Sequence, residues 1–330
     1  MLARLSLGLP FVFIVPDGIT FALQSYEDAG YVVTPRPPVR SDVPIKVDVP
    51  DNPKMNGGPA FIANASEVDF QKDAFDRTEA SPLDPPNEVL IRAITSVLTR
   101  LRYVTRGLAI RPVTLEKTNW HITYLNDDGS ELEQMPGLVR GRGGSSWHYS
   151  FAGVDADIWS KVNSLGVDWK PPPWDEILLD ANAALPHVGT TVVLGATALE
   201  VFIANILDRL AAQSPIPPDV WRWINDRGNW LKDPSTDEQF DRILKLLSGH
   251  SLKERPELWE AFQHLRTARN TFVHEGVAMV GRKAITSDEA LKLLVKANQI
   301  VKCVHEWLPI ELRWAKFEIT STVTFEVGMA

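Results

Sequence analysis

The 330 residues contain a single cysteine, Cys303. One thiol excludes an internal disulfide framework and a cysteine-built metal site, and it suits a reducing compartment, so a cytoplasmic location is expected. Cys303 itself sits in an apolar helical pattern and reads as a packed thiol. The His-x3-His and His-Glu-x2-His zinc spacings are missing, and so is the Gly-x-Ser-x-Gly nucleophile elbow. No metal and no other cofactor is expected. The Gly-x4-Gly-Lys-Ser/Thr order of a phosphate-binding loop is also missing, and the glycine-rich run Arg140–Tyr149 reads as a plain mobile loop. Basic residues are in the minority, 34 against 42 acidic, for a net charge of −8. That balance excludes a generic electrostatic grip on nucleic acid, so any RNA contact must be a local site. No run reads as long and apolar enough to span a bilayer, and no membrane partner is expected.

The first half is rich in strand and turn signals. Phe11–Val15, the turn Pro16-Asp17-Gly18 and Ile19–Leu23 read as strand, turn, strand, a better account than an export signal interrupted by Pro10. Tyr31–Thr34 and the proline-bounded Pro44–Pro50 are further strands, and Ser66–Asp76 is expected to hold a short helix. Asn87–Arg106 is an amphipathic helix behind Pro85-Pro86, with Val89, Ile94, Val97, Leu98 and Leu101 on its apolar face. Asn119–Leu125 is a strand. Arg92, Arg100, Arg102, Arg106 and Arg111 cluster on and after that helix. Arg102 and Arg106 share a face suited to a phosphate or carboxylate, but the preferred reading is a solvated flank and partners for the helix dipole.

Pro171-Pro172-Pro173 is a stiff hinge and marks the expected boundary between a β-rich α+β domain, residues 1–169, and a helical bundle, residues 170–312. In the bundle the helical stretches are Asp175–His187, Thr190–Gln213, Val220–Trp230, Asp237–Leu247, Leu258–Gly276 and Ser287–Leu308. Thr190–Gln213 is apolar on almost every side, the mark of a central helix. Residues 313–330 form a tail in which Phe317–Val327 alternates as a half-buried strand, expected to rejoin the N-terminal sheet or to pair with another subunit.

Leu258–Gly276 carries the densest chemistry. Leu258, Phe262, Leu265 and Phe272 make one stripe at 100° per residue, and Arg269 falls near its middle. A guanidinium there must lose its solvation or meet an anion. Glu200, the one acid of the apolar helix before Asp208, is the natural partner, and a Glu200–Arg269 contact is expected, either fixing helix register or supporting catalysis. Asn270 and His274 share a flank, and His274 lies about 140° round from Arg269, in the last turn before Gly276. Arg266, one turn earlier, is a candidate second cation for substrate.

The Arg269-Asn-x3-His274 spacing on a late helix, behind an all-apolar helix with Ala-Leu-Glu near its middle, resembles the HEPN domain family over residues 174–310. The resemblance implies metal-independent RNA cleavage at a composite site, where two such helices meet across the two-fold axis of a homodimer. Arg269 would then steady the phosphoryl charge, His274 would move protons, Asn270 would orient His274 or hold phosphate, and Glu200 would support them. The products would be a 2′,3′-cyclic phosphate and a 5′-hydroxyl. The order of a β-containing module before such a bundle is similar to prokaryotic abortive-infection and stress-response ribonucleases, which implies a toxin-like enzyme of antiviral defence whose first domain senses a trigger ligand or protein. The alternative is a non-catalytic HEPN-like scaffold that dimerises and binds a protein or nucleotide, with His274 merely capping the helix beside Gly276.

Overall fold

The computed structural model describes residues 1–46, 59–78, 82–115, 118–136, 152–225 and 233–314. The chain is α+β and divides into two compact units between Pro171 and Pro172, within the proline run. The alternating tail at 317–327, the glycine-rich run 140–149 and the end of the 220–230 segment lie outside the described residues.

Among the described residues the first unit holds a sheet of eight strands: β1 (Leu2–Pro16), β2 (Tyr26–Asp28), β3 (Tyr31–Pro35), β4 (Val39–Lys46), β5 (Pro59–Gln71), β6 (Trp120–Leu125), β7 (Glu131–Pro136) and β8 (Ala152–Gly153). The order is β2-β3-β5-β1-β6-β7, antiparallel throughout, with β4 also on β5 and β8 parallel to β1. On β1 the side chains of Ala3, Leu5 and Leu7 are buried, while Leu2, Arg4 and Ser6 between them are half-buried, the two-residue period of a strand with two different faces. Leu5 stands opposite Val68 on one side and Ile122 on the other. Helix α1 (Asn87–Thr105) joins that buried face to one core through Val89, Ala93, Ile94, Val97, Leu98 and Leu101, and α2 (Ala156–Ser164) adds Trp159 and Val162. The other face is polar: Arg4 and Arg36 both reach Asp69, at 2.7 and 2.8 Å.

Two local expectations fail here. Ile19–Leu23 forms no strand. Gly18, at φ +68°, turns the chain out of the sheet, and the partners of β1 come from β5 and β6, far along the sequence. Ser66–Asp76 is not helical either. Its first part is the end of β5, with Ser66, Val68 and Phe70 opposite Leu7, Leu5 and Ala3. Val68 and Phe70 inward against Glu67 and Asp69 outward is a period of two, which a helical reading of so short a segment overlooks.

The second unit is helical. Its elements are α3 (Pro173–Ala183), α4 (Val188–Gln213), α5 (Pro218–Asn225), α6 (Thr236–Glu238), a π-turn over Gln239–Ile243, α7 (Leu244–Ser248), α8 (Pro256–Glu275), a short hairpin of β9 (Met279–Val280) and β10 (Lys283–Ala284), and α9 (Ser287–Trp307). Local chemistry sets the ends. Pro173 and Pro256 open α3 and α8, where a missing N–H costs nothing. Gly249 and Gly276 close α7 and α8 in the left-handed region. Thr286 and Glu289 form a reciprocal capping box on α9.

Helix α4 packs against α3, α5, α7, α8 and α9. Contrary to the expectation from sequence, α4 is long and apolar enough by length and composition to cross a bilayer, with mean hydropathy 1.8 over an 18-residue window. More than half of that window is buried by its neighbours, as befits a helix that is apolar on most sides at the centre of a bundle. Around it Trp174, Phe202, Phe240, Phe262 and Trp314 meet edge-on or tilted at centroid separations of 5.0–6.5 Å. Cys303 is buried on α9, and that burial pushes its thiol pKa up, away from the reactive thiolate.

Candidate functional site

Helix α8 is held on α4 by small residues. The ring of Phe272 lies directly over Gly189, and Leu265 and Leu294 cover Gly195. A methyl at Gly189 would fall on the Phe272 ring, so glycine there is what admits the last turn of α8. Beyond Gly276 the chain is drawn back along the helix: the Met279 N–H donates to Thr271 Oγ1 at 2.8 Å, and the Ile285 N–H donates to the Ala278 carbonyl. The end of α8 is therefore fixed from both sides.

On this frame the buried face of α8 runs through Ala261, Phe262, Leu265 and Ala268. Arg269 is at the edge of that face, half-buried, rather than at its middle. Ala261 and Ala268 share this face with Phe262 and Leu265, while Leu258 and Phe272 are only partly buried, so the helix is rotated away from the expected stripe. The Nη1 of Arg269 donates to Asn270 Oδ1 at 3.0 Å, while its Nε is buried with no hydrogen-bond acceptor. Asn270 and His274 are exposed, and His274 has no hydrogen-bond or ion-pair partner among the described residues. It does not cap the helix. The Gly276 N–H closes α8 on the Phe272 carbonyl at 2.9 Å, a purely main-chain ending.

The expected Glu200–Arg269 contact is absent among the described residues, and Glu200 is half-buried rather than enclosed. Register explains the miss. Phe272 meets Gly189 and Leu265 meets Gly195, so α4 and α8 are antiparallel with paired positions summing to about 460. Glu200 then stands level with Glu260, nine residues before Arg269, or roughly 13 Å along the axis at 1.5 Å per residue. Arg266, by contrast, is neutralised: its Nη1 is 2.7 Å from Asp237 of α6, and Gln263 braces both partners. It serves the bundle and is not free to bind substrate. That Asp237 would claim Arg266 has no local signal, because the pair joins helices 29 positions apart (266 minus 237).

The site is thus an exposed helix end where, among the described residues, no carboxylate neutralises the arginine, an amide is bonded to it, and an imidazole about 140° round the helix has no hydrogen-bond or ion-pair partner. Val273 and Val277, beside His274 in sequence, are each about half exposed, at 53% and 48%. Among the described residues no three His, Cys, Asp or Glu side chains converge as a metal site. Comparison with protein-family models, with curated proteins and with solved structures finds no match for the chain.

Proposed function

We propose that the chain is a metal-independent endoribonuclease of toxin or defence type, with a HEPN-like second unit whose active site forms where two copies bring their α8 ends together. The observation that carries this reading is the contrast along one helix. Arg266 is tied to Asp237, whereas Arg269, one turn on, has no carboxylate partner and His274 has no partner among the described residues. An arginine kept for structure is neutralised; one kept for an anion is not.

The angle between Arg269 and His274 argues for two copies. Side chains about 140° apart on one helix do not converge on one phosphate, but a two-fold axis beside α8 would set the arginine of one copy near the imidazole of the other. There the RNA 2′-hydroxyl attacks phosphorus as one imidazole takes its proton. The same imidazole returns that proton to the departing 5′-oxygen, and Arg269 of the other copy holds the phosphoryl oxygens as charge develops. The bond formed is O2′–P and the bond broken is P–O5′, so no water or oxidant enters this step. In this reading the protein acts in the cytoplasm and its first unit senses the trigger.

The test is to incubate the purified full chain with total RNA in EDTA and map the product ends. Cyclic phosphate and 5′-hydroxyl ends are expected. Products carrying 5′-phosphates would refute this chemistry, and an inert, folded dimer would favour a dimerisation or binding module for a protein or nucleotide.

A further inference from the structure

In the first unit, a small open cleft lies between β2, the end of β3, α1 and the segment after α2. Arg100 of α1 lines it and is only 5% exposed. Its Nε donates to the Ser96 carbonyl, and its Nη1 to the carbonyls of Val162 and Leu165 at 3.3 and 3.1 Å. The last two close α2, so part of the charge meets the negative end of a helix. No carboxylate pairs with this guanidinium, and Nη2 has no acceptor, among the described residues. Tyr26 lines the same cleft, and its hydroxyl is buried without a hydrogen-bond partner. Burial pushes the Tyr26 pKa up to about 12, so the phenol stays a neutral donor at physiological pH.

Two unmet donors, one of them cationic, therefore line one cavity whose wall contains no Asp or Glu. The acid on β2, Asp28, is already engaged by Arg92 at 3.0 Å. The Oγ of Ser25 is bonded to Thr34, and the Asn163 amide donates to the Ala22 carbonyl; both frame the mouth, where the Gln24 amide is exposed. Buried polar groups left without partners are rare in folded proteins and mark places where a ligand belongs. The enclosed space, about 60 Å³, is well below the roughly 300–1,000 Å³ of drug-sized ligand pockets, so it suits a small head group and not a whole nucleotide.

We propose that this cleft binds a small oxyanion, the phosphate or carboxylate head group of a metabolite, on the Arg100 guanidinium and the Tyr26 hydroxyl. The guanidinium supplies charge and a planar fork of N–H groups that matches a carboxylate or phosphate, and the phenol supplies a second donor.

The test is calorimetric titration of the full chain with inorganic phosphate and, separately, succinate, at ionic strength matched with sodium chloride. One site per chain is expected. Phosphate alone binding assigns a phosphoryl ligand, succinate alone a carboxylate, and both an oxyanion site of broad choice. Tyr26→Phe should weaken binding about tenfold or more through loss of a hydrogen bond to a charged acceptor. The same change should leave the ligand-free unfolding temperature unchanged or raised, because it deletes an unmet hydroxyl. Arg100→Lys should abolish binding, and it also loosens α2, so Tyr26→Phe decides the matter. Absence of binding by either anion, or equal binding by wild-type and Tyr26→Phe proteins, would overturn the proposal.

Discussion

Arg269→Ala and His274→Ala chains, each about 10²–10⁴-fold impaired alone, should recover roughly a quarter of wild-type RNA cleavage when mixed one to one and allowed to exchange. The arithmetic follows from symmetry. Random exchange makes half of the dimers mixed. In a mixed dimer one of the two composite sites has lost both its arginine and its imidazole, and the other has kept both. The divergence of Arg269 and His274 on one helix is what makes the experiment informative, because a single chain does not aim both groups at one phosphate. Both side chains are at least partly exposed, and His274 makes no hydrogen bond or ion pair among the described residues, so neither change should unfold the protein. Two inactive variants that fail to complement would place both residues of one chain in one site and sink the two-copy arrangement. Full activity in either variant alone would remove that residue from the chemistry.

The largest effect on stability should come from Phe202→Ala. Phe202 is fully buried on α4 and touches Trp174, Phe240 and Trp314. Removing a buried phenyl ring costs about 3–5 kcal/mol, the transfer of its atoms plus the cavity left behind. For a unit of this size each kcal/mol lowers Tm by about 2–4 °C, so a fall of about 10 °C is expected. The loss should be confined to the second unit, because the two apolar cores share no residue. Hydrogen exchange by mass spectrometry is the check. Faster exchange in α3, α4, α8 and α9 with β1, β5 and α1 unchanged is the expected pattern, and uniform acceleration across both units would contradict separate cores.

The parts legible in sequence were those set by neighbours in sequence. The 3.6-residue period of α1, α4, α8 and α9, the stop at Gly276 and the Thr286–Glu289 cap are all local, and the expected helices overlap the observed ones closely. The sheet was less legible. β1 is flanked by β5 and β6, more than 40 and 100 residues away, and the two-residue period of Glu67–Phe70 marks a strand without naming its partner. At the candidate site, the residue types on α8 were readable but their partners were not. The offset of Glu200 from Arg269 depends on how far two helices slide past each other, and that is fixed by Phe272 on Gly189 and Leu265 on Gly195. The Arg100 cleft was hidden for a similar reason. The arginine was visible in a basic cluster, but its lack of an acid partner appears only once α1, α2 and β2 are in place.

The failure of Glu200 to reach Arg269 also sets how a nucleic-acid complex of this protein should respond to salt. A groove that neutralises many phosphates releases many condensed counterions, and its affinity collapses as salt rises. Here the chain is acidic overall, and at the proposed site a dimer would offer the strand two copies of Arg269. Two contacts on single-stranded RNA give a slope of about −1.4 in log affinity against log salt concentration, so binding measured with a His274→Ala protein should weaken only a few-fold between low and physiological salt. The grip of such an enzyme would then rest on shape and hydrogen bonding at the cleavage point, and its target would be selected there rather than by long-range attraction.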